Sequence, residues 1–106
     1  MTELQKLIAI DYDGTYTECP RIWNVFIQAA KQWGYEVWIV TSRYEPGLQG
    51  SDLPPLFNGE PVTSVPQNVP VVYCNGRAKE EFVWHECGRR VDIWCDNDPK
   101  HIVEPW

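Results

Sequence analysis

The sequence has no long hydrophobic run. No stretch approaches the roughly 20 apolar residues that a membrane-spanning helix needs. The N-terminal run Leu4–Ile10 is short, contains Lys6 and leads straight into acidic residues, unlike a secretory signal. We therefore expect a soluble, cytoplasmic protein with no membrane partner.

The sequence is also poor in basic residues, with 9 Lys and Arg against 15 Asp and Glu and a formal net charge of −6. A general nucleic-acid binder needs a basic surface that displaces counterions from phosphates. General nucleic-acid binding is therefore disfavoured. Acidic residues still serve phosphate chemistry when they gather around a divalent metal ion.

Motifs for soft metals and for thiol redox chemistry are absent as well. The cysteines are Cys19, Cys74, Cys87 and Cys95. None forms a C-x-x-C pair, which disfavours a zinc knuckle or a thioredoxin-like site. We expect reduced, buried thiols, as is usual in the cytoplasm. His85 and His101 lack a spaced metal-binding partner, so we expect them at the surface or in packing.

Apolar periodicity predicts alternating strands and helices over 106 residues, a length that suits one domain spanning residues 1–106. The predicted elements are a strand at Leu7–Ile10, a helix at Arg21–Trp33, strands at Glu36–Val40 and Val71–Tyr73, a helix at Ala78–Gly88, a strand at Val91–Cys95 and a helical turn within 100–106. The apolar residues with helical spacing in the first helix are Ile22, Val25, Phe26, Ala29, Ala30 and Trp33. In the second helix, Phe82, Val83 and Cys87 are predicted to face inward.

Residues 44–70 have a different composition, dense in proline and glycine. That density excludes a long helix and a central strand, so we predict a long irregular loop near the active site with at most a short hairpin. Elsewhere the strands are short and continuously apolar, as in a parallel sheet covered on both faces. The fold class predicted is α/β.

Acidic and hydroxyl residues follow three of the predicted strands. Asp11 and Asp13 follow the first strand, Thr41 and Ser42 the second, and Asp96 the last. Ligands of open α/β sheets bind outside the carboxyl ends of the strands, near the point where the strand order reverses. We therefore expect these side chains to share one crevice.

The residue types in that crevice suit phosphoryl transfer. Asp11 can accept a phosphoryl group as nucleophile, and Asp13 can act as general acid and then as base. Gly14 permits a tight turn that exposes amide groups to phosphate. Asp11, Asp96 and the main-chain carbonyl of Asp13 offer the hard oxygen ligands that Mg²⁺ prefers. Lys79, at a helix start, adds positive charge for the phosphate.

Several of these assignments have structural alternatives. Thr41 and Ser42 either contact phosphate or cap the following segment, and Arg43 contacts either substrate or solvent. Arg77 competes with Lys79 for the role of phosphate-binding cation. Asp98 either takes a second acidic role or caps the final helical turn, with Pro99 at its first position. An EF-hand is excluded, because no Glu occupies the twelfth loop position counted from Asp11.

The segment Ile10–Thr15 (IDYDGT) resembles the DxDGT signature that opens the haloacid dehalogenase (HAD) superfamily. Thr41/Ser42 resembles the second motif of that superfamily, Lys79 the third and Asp96 the fourth. The first motif is quite specific, whereas the other three carry weight only together.

The resemblance covers roughly residues 7–99 and implies a three-layer Rossmann-like sheet with helices on both faces. It also implies Mg²⁺ dependence and an aspartyl-phosphate intermediate. The chain is similar to small members without a cap domain, since Tyr16–Pro20 is too short to hold one. It departs from the usual pattern at Asn97, where the superfamily often has a second acid beside the residue equivalent to Asp96.

The resemblance thus implies an Mg²⁺-dependent phosphohydrolase acting on a phosphomonoester, either small or macromolecular. A pocket without a cap stays open to solvent. Either the segment 44–70 or a second subunit of a homo-oligomer would be able to close it. A non-catalytic HAD-like binding or regulatory domain is the alternative from another class. A phosphatase acting on nucleic-acid ends is a further alternative, for which Arg77, Lys79, Arg89 and Arg90 would supply a basic edge.

Overall fold

Four short strands form a parallel sheet in the computed structural model, which describes residues 5–46, 62 and 64–105. The elements are β1 at Leu7–Ile10, a 3₁₀ turn at Tyr16–Glu18, α1 at Pro20–Gln32, β2 at Glu36–Thr41, β3 at Val71–Tyr73, α2 at Lys79–Cys87, β4 at Ile93–Cys95 and α3 at Lys100–Val103. The prediction of a small α/β fold with a parallel sheet is confirmed. None of the helices in the described ranges is both long enough and apolar enough to cross a membrane.

The strand order β3-β2-β1-β4 places β1 between β2 and β4. The chain runs outward from β1 through β2 to β3 and then returns to the other side of β1 with β4. Ile10 pairs with Ile39 of β2 on one side and with Cys95 of β4 on the other. The strand order therefore reverses beside β1, and the residues after β1 and β4 are adjacent.

The two faces of the central strands contact different helices. Ile8 and Ile10 of β1 belong to a buried cluster that includes Ile27 and Ala30 of α1. Ala9 belongs to a second buried cluster, which includes Val83 of α2. Apolar residues at successive positions of β1 are thus all buried, which is why this strand is continuously hydrophobic rather than alternating.

The buried face of α1 differs from the one that the apolar spacing suggested. Ile22 and Val25 are 67% and 68% exposed, and Trp33 is 81% exposed. The inward face carries Trp23, Ile27 and Ala30, of which only Ala30 belongs to the predicted set. The Trp23 indole N–H donates to the carbonyl oxygen of Thr15 at 2.8 Å, which fixes the rotation of α1 against the loop after β1.

The cysteines are free thiols, but their burial varies. Cys74 is buried, whereas Cys87 is exposed and the prediction that it faces inward is wrong. Val83 and Phe82 supply the packing of α2, and Cys87 lies one turn later, where the helix ends at Gly88 with left-handed backbone. Most of the predicted irregular segment 44–70 lies outside the described residues.

Candidate active site

The carboxylates that follow β1 and β4 meet at one edge of the sheet. The backbone N–H of Asp11 donates to the carbonyl oxygen of Cys95 at 2.9 Å, which extends the pairing of the two strands to the site itself. Asp11 is 7% exposed and the side chain of Asp96 is 2% exposed. The sequence prediction required these two acids to be neighbours, and the structure places them so.

Lys79 joins the two acids. Its Nζ donates to Asp11 Oδ1 at 2.7 Å and to Asp96 Oδ2 at 2.6 Å, so both oxygens contact one nitrogen atom. Lys79 is the first residue of α2 and is 3% exposed. Arg77, the competing cation, instead donates to Glu86 Oε1 on the outside of the helix. The structure therefore brings Lys79, and not Arg77, to the acids.

Burial and neighbouring charges shift the pKa values of Asp11 and Lys79 in opposite directions. Burial raises the pKa of Asp11 to about 6, although the adjacent Lys79 ammonium lowers it in part. Burial also works against the charge of Lys79, but the carboxylates of Asp11 and Asp96 outweigh it and raise the pKa of Lys79 above its ordinary value. At neutral pH Asp11 is thus an ionised carboxylate beside an ammonium group.

A cavity of about 120 Å³ opens beside these charges. Its lining residues are Asp11, Asp13, Ser42, Lys79, Asp96, Asn97, Asp98 and His101. Ser42 Oγ is buried and has no hydrogen-bond partner among the residues that the structure describes. A hydroxyl in that condition is available to a ligand in the cavity, because a buried polar group without a partner costs stability.

Two of the sequence-predicted phosphate ligands lie elsewhere. Thr41 is absent from the cavity lining, and its Oγ1 accepts a hydrogen bond from the backbone N–H of Arg43 at 3.2 Å. The backbone N–H of Gly14 donates to Thr17 Oγ1 at 2.9 Å, so it is engaged within its own turn. Gly14 adopts φ +82°, as the predicted tight turn requires.

Arg43 contacts an acid of the site rather than the cavity. Its Nε donates to Asp13 Oδ2 at 3.0 Å and its Nη2 to Asp13 Oδ1 at 2.8 Å. Arg43 is not among the residues that line the cavity, whereas Asp13 is. We predicted that Arg43 contacts either substrate or solvent. In the structure it instead forms a bidentate ion pair with Asp13.

The side-chain amide of Asn97 lies against oxygens of Asp11 and Asp13. Its nitrogen lies 2.8 Å from Asp11 Oδ2 and 3.0 Å from the carbonyl oxygen of Asp13 and donates to both. A Cβ at Gly14 would lie 2.5 Å from the Asn97 side chain, so only glycine leaves room for it.

Mg²⁺ favours carboxylate and carbonyl oxygens as ligands, and Asp11, Asp13 and Asp96, which line the cavity, carry such oxygens. The described ranges contain no group of three His, Cys, Asp or Glu side chains placed to hold one ion. Asp96 Oδ2 accepts from Lys79 and its Oδ1 from the backbone N–H of Asp98.

Sequence reasoning missed Asn97 and His101 as cavity residues. His101 approaches Asp98, with its Nε2 3.6 Å from Asp98 Oδ2. The spacing of three residues between Asp98 and His101, across the final helical turn, could have indicated that these two side chains lie close together. The position of Asn97 directly after Asp96 could have indicated that its side-chain amide lies at the cavity. Asp98 makes no side-chain cap of α3, whose N-terminal flanking residue is Pro99.

We compared the chain with known protein families, proteins and structures. No model of a protein family, no curated protein and no solved structure matches this chain.

Proposed function

We propose that this chain is an Mg²⁺-dependent phosphohydrolase that cleaves phosphomonoesters through an aspartyl-phosphate intermediate. The observation that carries the proposal is the contact of one buried ammonium, Lys79, with carboxylates from two neighbouring strand ends, Asp11 and Asp96. Beside them lies a cavity lined by Ser42, whose hydroxyl has no hydrogen-bond partner within the described part of the chain. Together they offer a nucleophile, a cation for phosphate oxygens and a hydroxyl donor.

The proposal includes a HAD-like domain of three layers without a cap. Two separate core clusters support it, one joining the sheet to α1 and the other joining it to α2. The order of the motif residues along the chain is the further support. The four free thiols suit the reducing cytoplasm, which we propose as the location.

In the proposed reaction, a carboxylate oxygen of Asp11 attacks phosphorus, and the bond from phosphorus to the ester oxygen breaks. Asp13, which carries the proton that it took from water in the preceding cycle, gives this proton to the departing oxygen, which leaves as an alcohol. Asp13 then takes a proton from water as the water oxygen attacks the phosphorus of the acyl phosphate. Inorganic phosphate leaves and the Asp11 carboxylate is restored. Lys79 and Ser42 donate hydrogen bonds to the phosphoryl oxygens throughout.

Mg²⁺ would be held by Asp11, the carbonyl oxygen of Asp13 and Asp96, all of which line the cavity. When bound, the ion offsets phosphate charge and orients the phosphoryl group. Lys79 also offsets negative charge at the site, but that of the protein's own carboxylates. Its ammonium stays beside Asp11 and Asp96 on the protein side of the cavity, where it balances their charge before substrate arrives.

The small cavity limits what is recognised closely. A volume of about 120 Å³ admits a phosphoryl group and little more, so the rest of the substrate lies outside the cavity. Nucleic-acid ends are less favoured than the sequence suggested. Arg77 is paired with Glu86 and Arg89 with Glu36, and Lys79 is buried.

The proposal is tested by phosphate release from a generic aryl phosphate, with Mg²⁺ or with EDTA. Asp11→Asn should reduce turnover roughly a thousandfold or more, because it removes the nucleophile. Glu80→Gln is the control, since Glu80 is exposed and outside the cavity, and it should keep wild-type activity. Equal turnover by wild type and Asp11→Asn would remove Asp11 as nucleophile. An inactive wild type across a broad panel of phosphomonoesters would favour the non-catalytic alternative.

A further inference from the structure

Asp13 is held by a fork of two hydrogen bonds. Both of its carboxylate oxygens accept from the Arg43 guanidinium, at 3.0 and 2.8 Å. A bidentate pair fixes the rotation of a carboxylate as well as its position, which a single contact does not. The Arg43 side chain is 12% exposed and that of Asp13 is 32% exposed, so the pair is partly shielded from water.

The Arg43 guanidinium lies against a stack of two tyrosine rings. The Arg43 guanidinium carbon lies 4.9 Å from the centre of the Tyr12 ring, a distance typical of a cation–π contact. Tyr12 stacks in turn on Tyr16, with ring centres 5.9 Å apart. The Tyr16 hydroxyl donates to Asn24 Oδ1 at 2.7 Å, which ties the stack to α1.

The backbone of Arg43 is anchored as well. Its N–H donates to Thr41 Oγ1 at 3.2 Å, and its carbonyl oxygen accepts from the backbone N–H of Asn75 at 3.2 Å. The adjoining Ser42 carbonyl accepts from the N–H of Gly76 at 3.0 Å. Thr41, Tyr12 and Tyr16 therefore all help to hold Arg43 in place. The cavity alone does not explain this common role.

We propose that Arg43 is a positioning residue that sets the carboxylate of Asp13 to take a proton from the water that attacks the acyl phosphate. The inference rests on the proposed function. Arg43 acts through Asp13 and makes no direct contact with the transferred phosphoryl group, since it lies outside the cavity lining. Lysine cannot replace it fully, because an ammonium group lacks the planar fork that matches a carboxylate.

The test is steady-state kinetics with an aryl phosphate and Mg²⁺ for wild type, Arg43→Met, Arg43→Lys, Asp13→Asn and the double variant Asp13→Asn/Arg43→Met. We expect Arg43→Met to lower kcat about 10- to 100-fold with KM within about twofold, as misplacement of a catalytic group does. Arg43→Lys should fall between wild type and Arg43→Met. The double variant should turn over no more slowly than Asp13→Asn alone, since the two changes remove one function.

Arg89→Met is the matched control. Arg89 also pairs with a carboxylate, Glu36, and lies over an aromatic ring, Trp38, at 5.4 Å from its centre. Glu36 begins β2, whereas the acids of the cavity follow the opposite ends of the parallel strands, and Arg89 does not line the cavity, so its loss should leave kcat unchanged. Added guanidinium chloride at millimolar concentration should restore part of the kcat of Arg43→Met but not of Asp13→Asn. Rescue of this kind separates lost positioning from lost folding.

Three results would overturn the inference while leaving the proposed function in place. They are a rise in KM for Arg43→Met at constant kcat, a further loss of kcat in the double variant relative to Asp13→Asn, and wild-type kinetics in Arg43→Met. The first two would assign Arg43 to phosphate binding. If Arg43→Met fails to fold, wild-type kcat in Arg43→Lys overturns the inference equally. An inactive wild type would remove the proposed function and this inference with it.

Discussion

Three charged side chains determine the electrostatics at the carboxyl end of β1. Asp11 and Asp96 both contact Lys79, so the cluster carries one net negative charge when all three are ionised. A buried charge without a full partner is costly. Either a proton on Asp11 or a divalent cation offsets that charge, and this is the physical reason that burial raises the pKa of Asp11 to about 6.

A consequence at this scale is a pH dependence of stability that belongs to Asp11. Its folded pKa of about 6 lies above the ordinary value of 3.8, so folding favours its neutral form. The associated stability is fully present below about pH 4 and is lost as pH rises through about 6, by up to about 3 kcal/mol. Urea unfolding in EDTA from pH 4 to 7 should show this loss in wild type and not in Asp11→Asn. Parallel pH profiles for the two proteins would contradict the assignment.

The sequence allowed the meeting of Asp11, Lys79 and Asp96 to be predicted, because each follows a strand or begins a helix at the same edge of the sheet. It did not allow the partners of Arg43 and Asn97 to be predicted. Those partners depend on which way a side chain turns in a loop, and no periodicity in the sequence records that direction. The same limit applies to the contact of His101 with the cavity.

Among the elements, the strands were easier to predict than the faces of the helices. Leu7–Ile10 is buried along its whole length, so a continuous apolar run marks both its existence and its bounds. Helix α1 carries apolar residues on more than one stripe, and the stripe that the helical spacing favoured is exposed at every predicted position except Ala30. Ile27 is 2% exposed while Ile22 is 67% exposed, although both are isoleucines of the same helix.

These two isoleucines give a matched test of the orientation of α1. Ile27→Ala should lower the free energy of unfolding by about 2–5 kcal/mol, because it opens a cavity in the core. Ile22→Ala should change it by less than about 0.5 kcal/mol, as exposed positions usually do. Urea unfolding of the two variants measures the difference. A larger loss for Ile22→Ala than for Ile27→Ala would show that α1 presents the opposite face to the sheet.

At the scale of the whole molecule, topology creates the site. The order β3-β2-β1-β4 reverses beside β1, and this reversal places residue 11 next to residue 96 although 84 positions separate them in the chain. The cavity then forms where α2 begins and the loop after β4 leaves the sheet. Asp11 and Asp96 follow the ends of strands and Lys79 begins a helix, so these short elements bring the three side chains together at one edge of the sheet.

The proposed reaction requires Asp11 to become covalently phosphorylated. The most direct measurement is mass spectrometry of protein quenched in acid during turnover of an aryl phosphate with Mg²⁺, followed by digestion and sequencing of the peptide that contains Asp11. We predict one phosphoryl group on Asp11 in wild type and none in Asp11→Asn. An enzyme that turns over the substrate while its Asp11 peptide stays unmodified, or carries the group on another residue, would contradict the account.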